Sequence, residues 1–113
     1  MSDDINIIGL IENGIFSFGE VSRFPGVGFT GNIQNMLGSH QNPGIKVTEE
    51  DDGLVVNCEI IVYFGVNIPQ LCYDLQTRIK NDIEKTAGIP VKAVNIRVEG
   101  IDKAAGPHKR SQI

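Results

Sequence analysis

The strongest periodic signal in the chain lies between Leu54 and Phe64. There Leu54, Val56, Cys58, Ile60, Val62 and Phe64 alternate with Val55, Asn57, Glu59, Ile61 and Tyr63. A period of two places the first set on one face of a β-strand and the second set on the other. The first set is wholly apolar and belongs to a core. Upstream, Ile45-Lys46-Val47-Thr48-Glu49 alternates in the same way over a shorter span. Glu50-Asp51-Asp52-Gly53 separates the two, an acidic tip whose Asp-Gly pair predicts a hairpin turn, because glycine tolerates positive φ.

The period then changes. After Gly65-Val66, the residues Ile68, Leu71, Cys72, Leu75, Ile79 and Ile83 recur three and four apart, which makes an apolar stripe on a helix. Asn67 suits the N-cap, Pro69 the first turn, and Gly88 and Pro90 stop the helix. Its polar face carries Asp74, Arg78, Lys80, Asp82 and Glu84, with Asp74 and Arg78 spaced for an i,i+4 pair. A helix of about 19 residues spans roughly 28 Å. It therefore returns the chain along the long strand, and a last strand over Val91–Gly100 starts beside its predecessors. Val94, Ile96 and Val98 point one way from that strand, and Ala93, Asn95, Arg97 and Glu99 the other. The pattern does not choose which earlier strand it pairs with.

The first third is less regular. Ile5, Ile8, Ile11 or Glu12, Ile15 and Phe18 or Val21 approximate a helical period with Ser2 or Asp3 as cap, and predict an N-terminal helix over roughly 3–23, ended by Phe24-Pro25-Gly26. Gly9, Gly14 and Gly19 oppose it, each by about 1 kcal/mol relative to alanine. Gly28 to Pro43 reads as a long loop with one helical turn at Asn32–Leu37, and Gly106 to Ile113 as a frayed tail. The expected architecture is one α+β domain over residues 1–103 with a flexible tail at 104–113. It has two layers, a three-stranded sheet (hairpin plus last strand) under the amphipathic helix, with the N-terminal helix added.

Composition narrows the function classes. A chain of 113 residues suits a single domain, and no apolar run approaches the roughly 18–20 residues of a spanning helix. Asp3 and Asp4 stand where a signal peptide needs basic residues. Cys58 and Cys72 form no Cys-x-x-Cys pair, and only His40 and His108 are available to join them at a metal, so they read as reduced thiols of a cytoplasmic protein. The net charge is −4, and Lys103, Lys109 and Arg110 near the end leave the rest of the chain more acidic than that total. Duplex binding draws its affinity from a basic footprint, so nucleic acid is not expected.

Three chemical motifs fail on context. Gly26-Val27-Gly28-Phe29-Thr30-Gly31 matches G-x-G-x-x-G, but no buried strand precedes it and no helix follows to meet a pyrophosphate. The acidic run Glu49-Glu50-Asp51-Asp52 lacks the alternating ligands and later bidentate Glu of a calcium loop. Ser17, Ser22, Ser39 and Ser111 sit in no strand–turn–helix elbow, and His40 next to Ser39 has no orienting third group. No catalytic residue, cofactor or metal ligand is assigned. What remains is a surface. The sheet face away from the helix shows Asn57, Glu59, Ile61, Tyr63, Asn95, Arg97 and Glu99, and Ile61, Tyr63, Asn95 and Arg97 make the candidate partner-binding set, since Tyr and Arg are enriched at interfaces. The alternative is an ordinary solvated face, or one covered by the N-terminal segment. A small RNA-binding module is the second functional reading, with Tyr63 and Arg97 as its only stacking and basic groups.

Specific residues add a resemblance. Phe64-Gly65-Val66-Asn67-Ile68-Pro69, Gln76, Ala87-Gly88-Ile89 and Val94-Asn95-Ile96-Arg97-Val98-Glu99-Gly100-Ile101 resemble the alkaline shock protein family of Gram-positive and related bacteria. Its pattern is Tyr-Gly-x-x-Ile-Pro, a helix carrying a Gln, Thr-Gly, then a Val-Asn-Val-x-Val-x-Gly strand. Phe24-Pro25-Gly26-Val27 is similar to the family's Val-x-Gly-Val segment. Phe64 replaces the family's usual Tyr, and the first helix lacks the family's Ala-rich character. The resemblance implies a non-enzymatic binding or scaffolding protein linked to envelope homeostasis and stress. It also implies a cytoplasmic location, peripheral to the inner face of the membrane through a membrane-anchored protein partner in some members, with self-association allowed and no direct insertion.

Overall fold

The computed structural model describes residues 6–26 and 42–103. The elements run α1 (Ile7–Phe16), β1 (Val21–Arg23), β2 (Ile45–Glu50), β3 (Gly53–Tyr63), α2 (Ile68–Thr86) and β4 (Val91–Asp102). The tail at 104–113, most of the glycine motif, the long loop as far as residue 41, Ser39, His40 and His108 lie outside the described residues.

β3 is the centre of a mixed sheet. Along one side it pairs in parallel with β4, from Leu54↔Val91 to Tyr63↔Asp102. Along the other it pairs antiparallel with β2, from Glu50↔Gly53 to Ile45↔Cys58. β2 therefore leaves the last part of β3 without a neighbour, and β1 fills that gap with Val21↔Val62 and Arg23↔Ile61. The three predicted strands are present and the α+β architecture stands. The fourth strand comes from a segment the periodicity assigned to helix. The N-terminal helix runs from Ile7 to Phe16, capped by the Asn6 side chain, which accepts from Gly9 N at 3.0 Å. It stops well short of residue 23 because Val21–Arg23 completes an open backbone edge, and unpaired amides there would otherwise lack partners.

Both helices lie on one side of the sheet. Leu71, Leu75, Ile79 and Ile83 of α2 and Ile11 and Ile15 of α1 meet Leu54, Val56, Cys58, Ile60 and Val62 in one buried cluster. Each such side chain contributes roughly 1.5–3 kcal/mol by leaving water. Val94, Ile96 and Val98 pack at its margin, half-buried. α1 approaches α2 closely at Gly14, where an added Cβ would stand 3.3 Å from both Arg78 Cγ and Asp82 Oδ2. This contact explains a glycine inside a helix. It also redirects the charges: Arg78 donates to Asp82 at 2.8 Å and to Ser17 Oγ at 3.1 Å, while Asp74 accepts from Gln70 at 3.0 Å. The expected Asp74–Arg78 pair is replaced.

Two further points correct the periodic reading. Phe64 continues the alternation of core residues but is 73% exposed. The strand ends at Tyr63, and Gly65 turns the chain at φ +92, so the ring swings outward. Cys58, in contrast, is buried as expected, and burial pushes its thiol up to about 12. Burial also raises the half-buried Cys72, and both cysteines are free.

Candidate functional site

The sheet face opposite the helices is laced by polar groups that reach across β3. β4 has two register shifts against β3, at which Lys92 and Glu99 are the extra residues. Near the first, Lys92 Nζ crosses to the β2–β3 hairpin, donating to Glu50 at 3.0 Å and pairing with Asp52 at 3.5 Å. The Glu50 hydrogen bond is the main cause that raises the Lys92 ammonium above its ordinary value. The acidic tip is thus a strand tie. Midway, Asn95 Nδ2 donates to Asn57 Oδ1 at 2.9 Å, and Arg97 pairs with Glu99 at 2.8 Å.

At the far end Asp102 reaches back from β4 to β1. Its carboxylate accepts from Ser22 Oγ at 2.6 Å and from Arg23 Nε and Nη2 at 3.1 and 3.2 Å. The Arg23 hydrogen bond, followed by that of Ser22, holds the Asp102 carboxyl below the usual carboxylate range. A depressed folded-state pKa contributes stability that is present above the unfolded value, near 3.9, and is lost as pH falls through the folded one. We expect Asp102→Asn to flatten this acid limb, with wild type and variant converging in urea-melt midpoints once pH has fallen through the folded value. A variant that keeps the wild-type acid limb would remove Asp102 as its source.

The candidate set is placed in two groups. Ile61 lies between Arg23 and Gly100 in the pairing registers and is only 8% exposed, so it forms floor more than contact. Tyr63 beside it is half-buried. Asn95 and Arg97, further back along β4, are exposed. The covering by the N-terminal segment that the sequence allowed does not occur among the described residues, because α1 sits on the helix side.

Sequence reasoning missed the outer edge of β4. In its first part, α2 satisfies that edge from a single ridge of residues four apart. Gln76 Nε2 donates to Val94 O at 3.0 Å, Lys80 Nζ donates to Val91 O at 3.3 Å, and Glu84 Oε2 accepts from Val91 N at 2.9 Å. The Val91 N–H is also the leading cause that lowers the Glu84 carboxyl. Backbone alternation turns Ile96, Val98 and, past the second bulge, Ile101 outward in the same sense. Among the described residues, no side chain caps these three. Ile101 is itself 55% exposed and lines a hollow of about 410 Å³ with Phe64, Asp102 and Lys103, and Tyr73, on α2 one turn before Gln76, is 64% exposed. Tyr73 was legible as a ring outside the apolar stripe of α2. Ile101 was legible only with the bulge known.

Among the described residues, no group of three or more His, Cys, Asp or Glu stands ready for a metal ion, and no helix is long and apolar enough to cross a membrane. The fold and site define a small two-layer α+β domain whose distinctive features lie on a sheet face and strand edge. The chain belongs to the alkaline shock protein 23 family, of cell envelope-related function, whose family model matches residues 15–103. It is similar to the uncharacterized protein YloU of Bacillus subtilis, at 33% identity over 51% of this chain and 48% of that protein. The uncharacterized Streptococcus pyogenes protein Spy1535 is 33% identical over 57% of this chain and 51% of its own length. Another from the same species, Spy1614, is 26% identical over 89% of this chain and 84% of its own. The chain thus matches about half the length of the first two. No solved structure matches it.

Proposed function

We propose that this protein is a non-enzymatic protein-binding or scaffolding module that serves the cell envelope and its stress response. In this reading it works in the cytoplasm, peripheral to the inner face of the membrane through a membrane-anchored protein partner. The observation that carries the reading is a sheet face that no described residue covers, which runs from Tyr63 through Asn95 and Arg97 into the part of the β4 edge left uncapped among the described residues. A face with aromatic, amide and guanidinium groups beside exposed apolar rings suits recognition of another protein surface. Family membership supplies the envelope context.

The test is crosslinking and affinity recovery of the full chain from its native host, with and without alkaline or cell-wall stress. We expect one envelope protein to be recovered reproducibly, and its yield to drop about tenfold, or roughly 1.4 kcal/mol, in a Tyr63→Ala/Asn95→Asp double variant. Recovery indistinguishable from an untagged control, or retained in full by the folded double variant, would defeat the reading. Retarded migration of total RNA at physiological salt would replace it with nucleic-acid binding.

A further inference from the structure

We propose that the uncapped part of β4 is a self-complementary seam on which a second copy of this chain docks, so that two sheets join antiparallel through β4. The inference rests on the protein-binding reading above and names one partner and its surface.

An exposed strand edge is a template for another strand, and proteins that keep their edges to themselves cover or charge them. Among the described residues, only part of the edge is covered. Gln76, Lys80 and Glu84 occupy the outward N–H and carbonyl of Val91 and the carbonyl of Val94, and the ridge ends there. The next residue up that ridge is Cys72, a half-buried thiol with little capacity to cap a backbone. The outward amides and carbonyls of Ile96, Val98 and Ile101 follow directly.

What identifies the occupant is the match of this edge to itself. A two-fold axis through Val98 sets Val98 opposite its own copy, with both sets of backbone groups turned outward for a reciprocal hydrogen-bonded pair. One position away, Arg97 of each copy faces Glu99 of the other on the open face of the sheet. The two residues already pair within one chain at 2.8 Å, and Arg97 has 73% of its side chain exposed, so it is free to turn to the partner copy. Next, the bulge at Glu99 becomes useful. Its extra residue brings Ile101, not Gly100, opposite Ile96 of the other copy, and both are outward-facing residues. On the helix side the seam is therefore apolar, Ile101 on Ile96 and Val98 on Val98, with Phe64 beside Ile101. Phe64 and Ile101, both exposed in the single chain, would then lie at a joint. Apolar pairs on one face and opposite charges on the other recur in both directions, as an isologous contact requires.

The test uses the purified full chain in sedimentation velocity and light scattering from micromolar to submillimolar concentration. We expect a monomer–dimer equilibrium. Arg97→Glu sets like charges opposite each other twice and should weaken dimerisation about tenfold or more, with an unchanged melting curve as folding control. Arg97→Glu combined with Glu99→Arg restores the pairing in reversed sense and should recover the dimer. Ile101→Asp, at an exposed position, should abolish it. A wild-type monomer at every concentration overturns the proposal, as does a dimer indifferent to Arg97→Glu and Ile101→Asp, or one that the charge swap fails to restore. If the purified chain is monomeric while the host recovery still yields an envelope partner, the seam is wrong and the binding reading survives.

Discussion

Replacing Gly53 with alanine is expected to lower stability by about 3 kcal/mol, the sum of backbone strain and overpacking. Gly53 begins β3 at φ +144, a conformation that side chains rarely adopt. A Cβ there would stand 2.8 Å from Pro90 O and 3.1 Å from Lys92 N. Those atoms are backbone and cannot rotate away. They are also where the parallel pairing starts, since Leu54 N donates to Pro90 O at 2.9 Å. The methyl group would therefore part β3 from β4 at the same end where Lys92 ties the hairpin. For a domain of this size the melting temperature should fall by roughly 10–25 °C. Gly88→Ala isolates the conformational part, because Gly88 has φ +70 with open space around it, and Gly19→Ala supplies a baseline with neither feature. If Gly53→Ala melts within a few degrees of Gly19→Ala, the close approach of the hairpin to β4 is wrong.

The second large effect belongs to Leu75. It is fully buried beneath α2 in the single core, and truncation to alanine is expected to cost about 2–5 kcal/mol. Against a total of roughly 5–15 kcal/mol for a domain, that leaves a protein close to unfolding. Urea titration should show a lower midpoint with an unchanged slope, since the surface exposed on unfolding hardly changes. Gln76→Ala, one residue along, removes one partly buried hydrogen bond to Val94 O and should cost about 1 kcal/mol. Phe64→Ala, at 73% exposure, should stay within about 0.5 kcal/mol in the monomer. The order Leu75, Gln76, Phe64 is the prediction. A Phe64 variant as damaging as the Leu75 variant would mean that the aromatic ring is buried after all and that the edge beside it is closed.

The amino-acid sequence by itself determined the hairpin, the long helix and the returning strand, because each rests on a local period and local stop signals. Ile60 and Leu75 share the core, and Ile96 packs at its margin, as those periods require. The same period misplaced Phe64, since alternation cannot tell where a strand stops when the next residue is a glycine. It also extended the first helix too far. Val21–Arg23 becomes a strand only because β2 is too short to cover the end of β3, and that is a fact about distant residues. Asn95 and Arg97 were legible as exposed from their side of β4, whereas the burial of Ile61 depends on its neighbours across two strand pairs. The edge of β4 was beyond reach for a related reason. Which backbone groups point outward follows from the parallel pairing and its two bulges, and which of them are capped follows from where Gln76, Lys80 and Glu84 land. Local pattern sets the elements. Register, bulges and helix placement decide which of their groups still face solvent, and these are settled only when the elements meet.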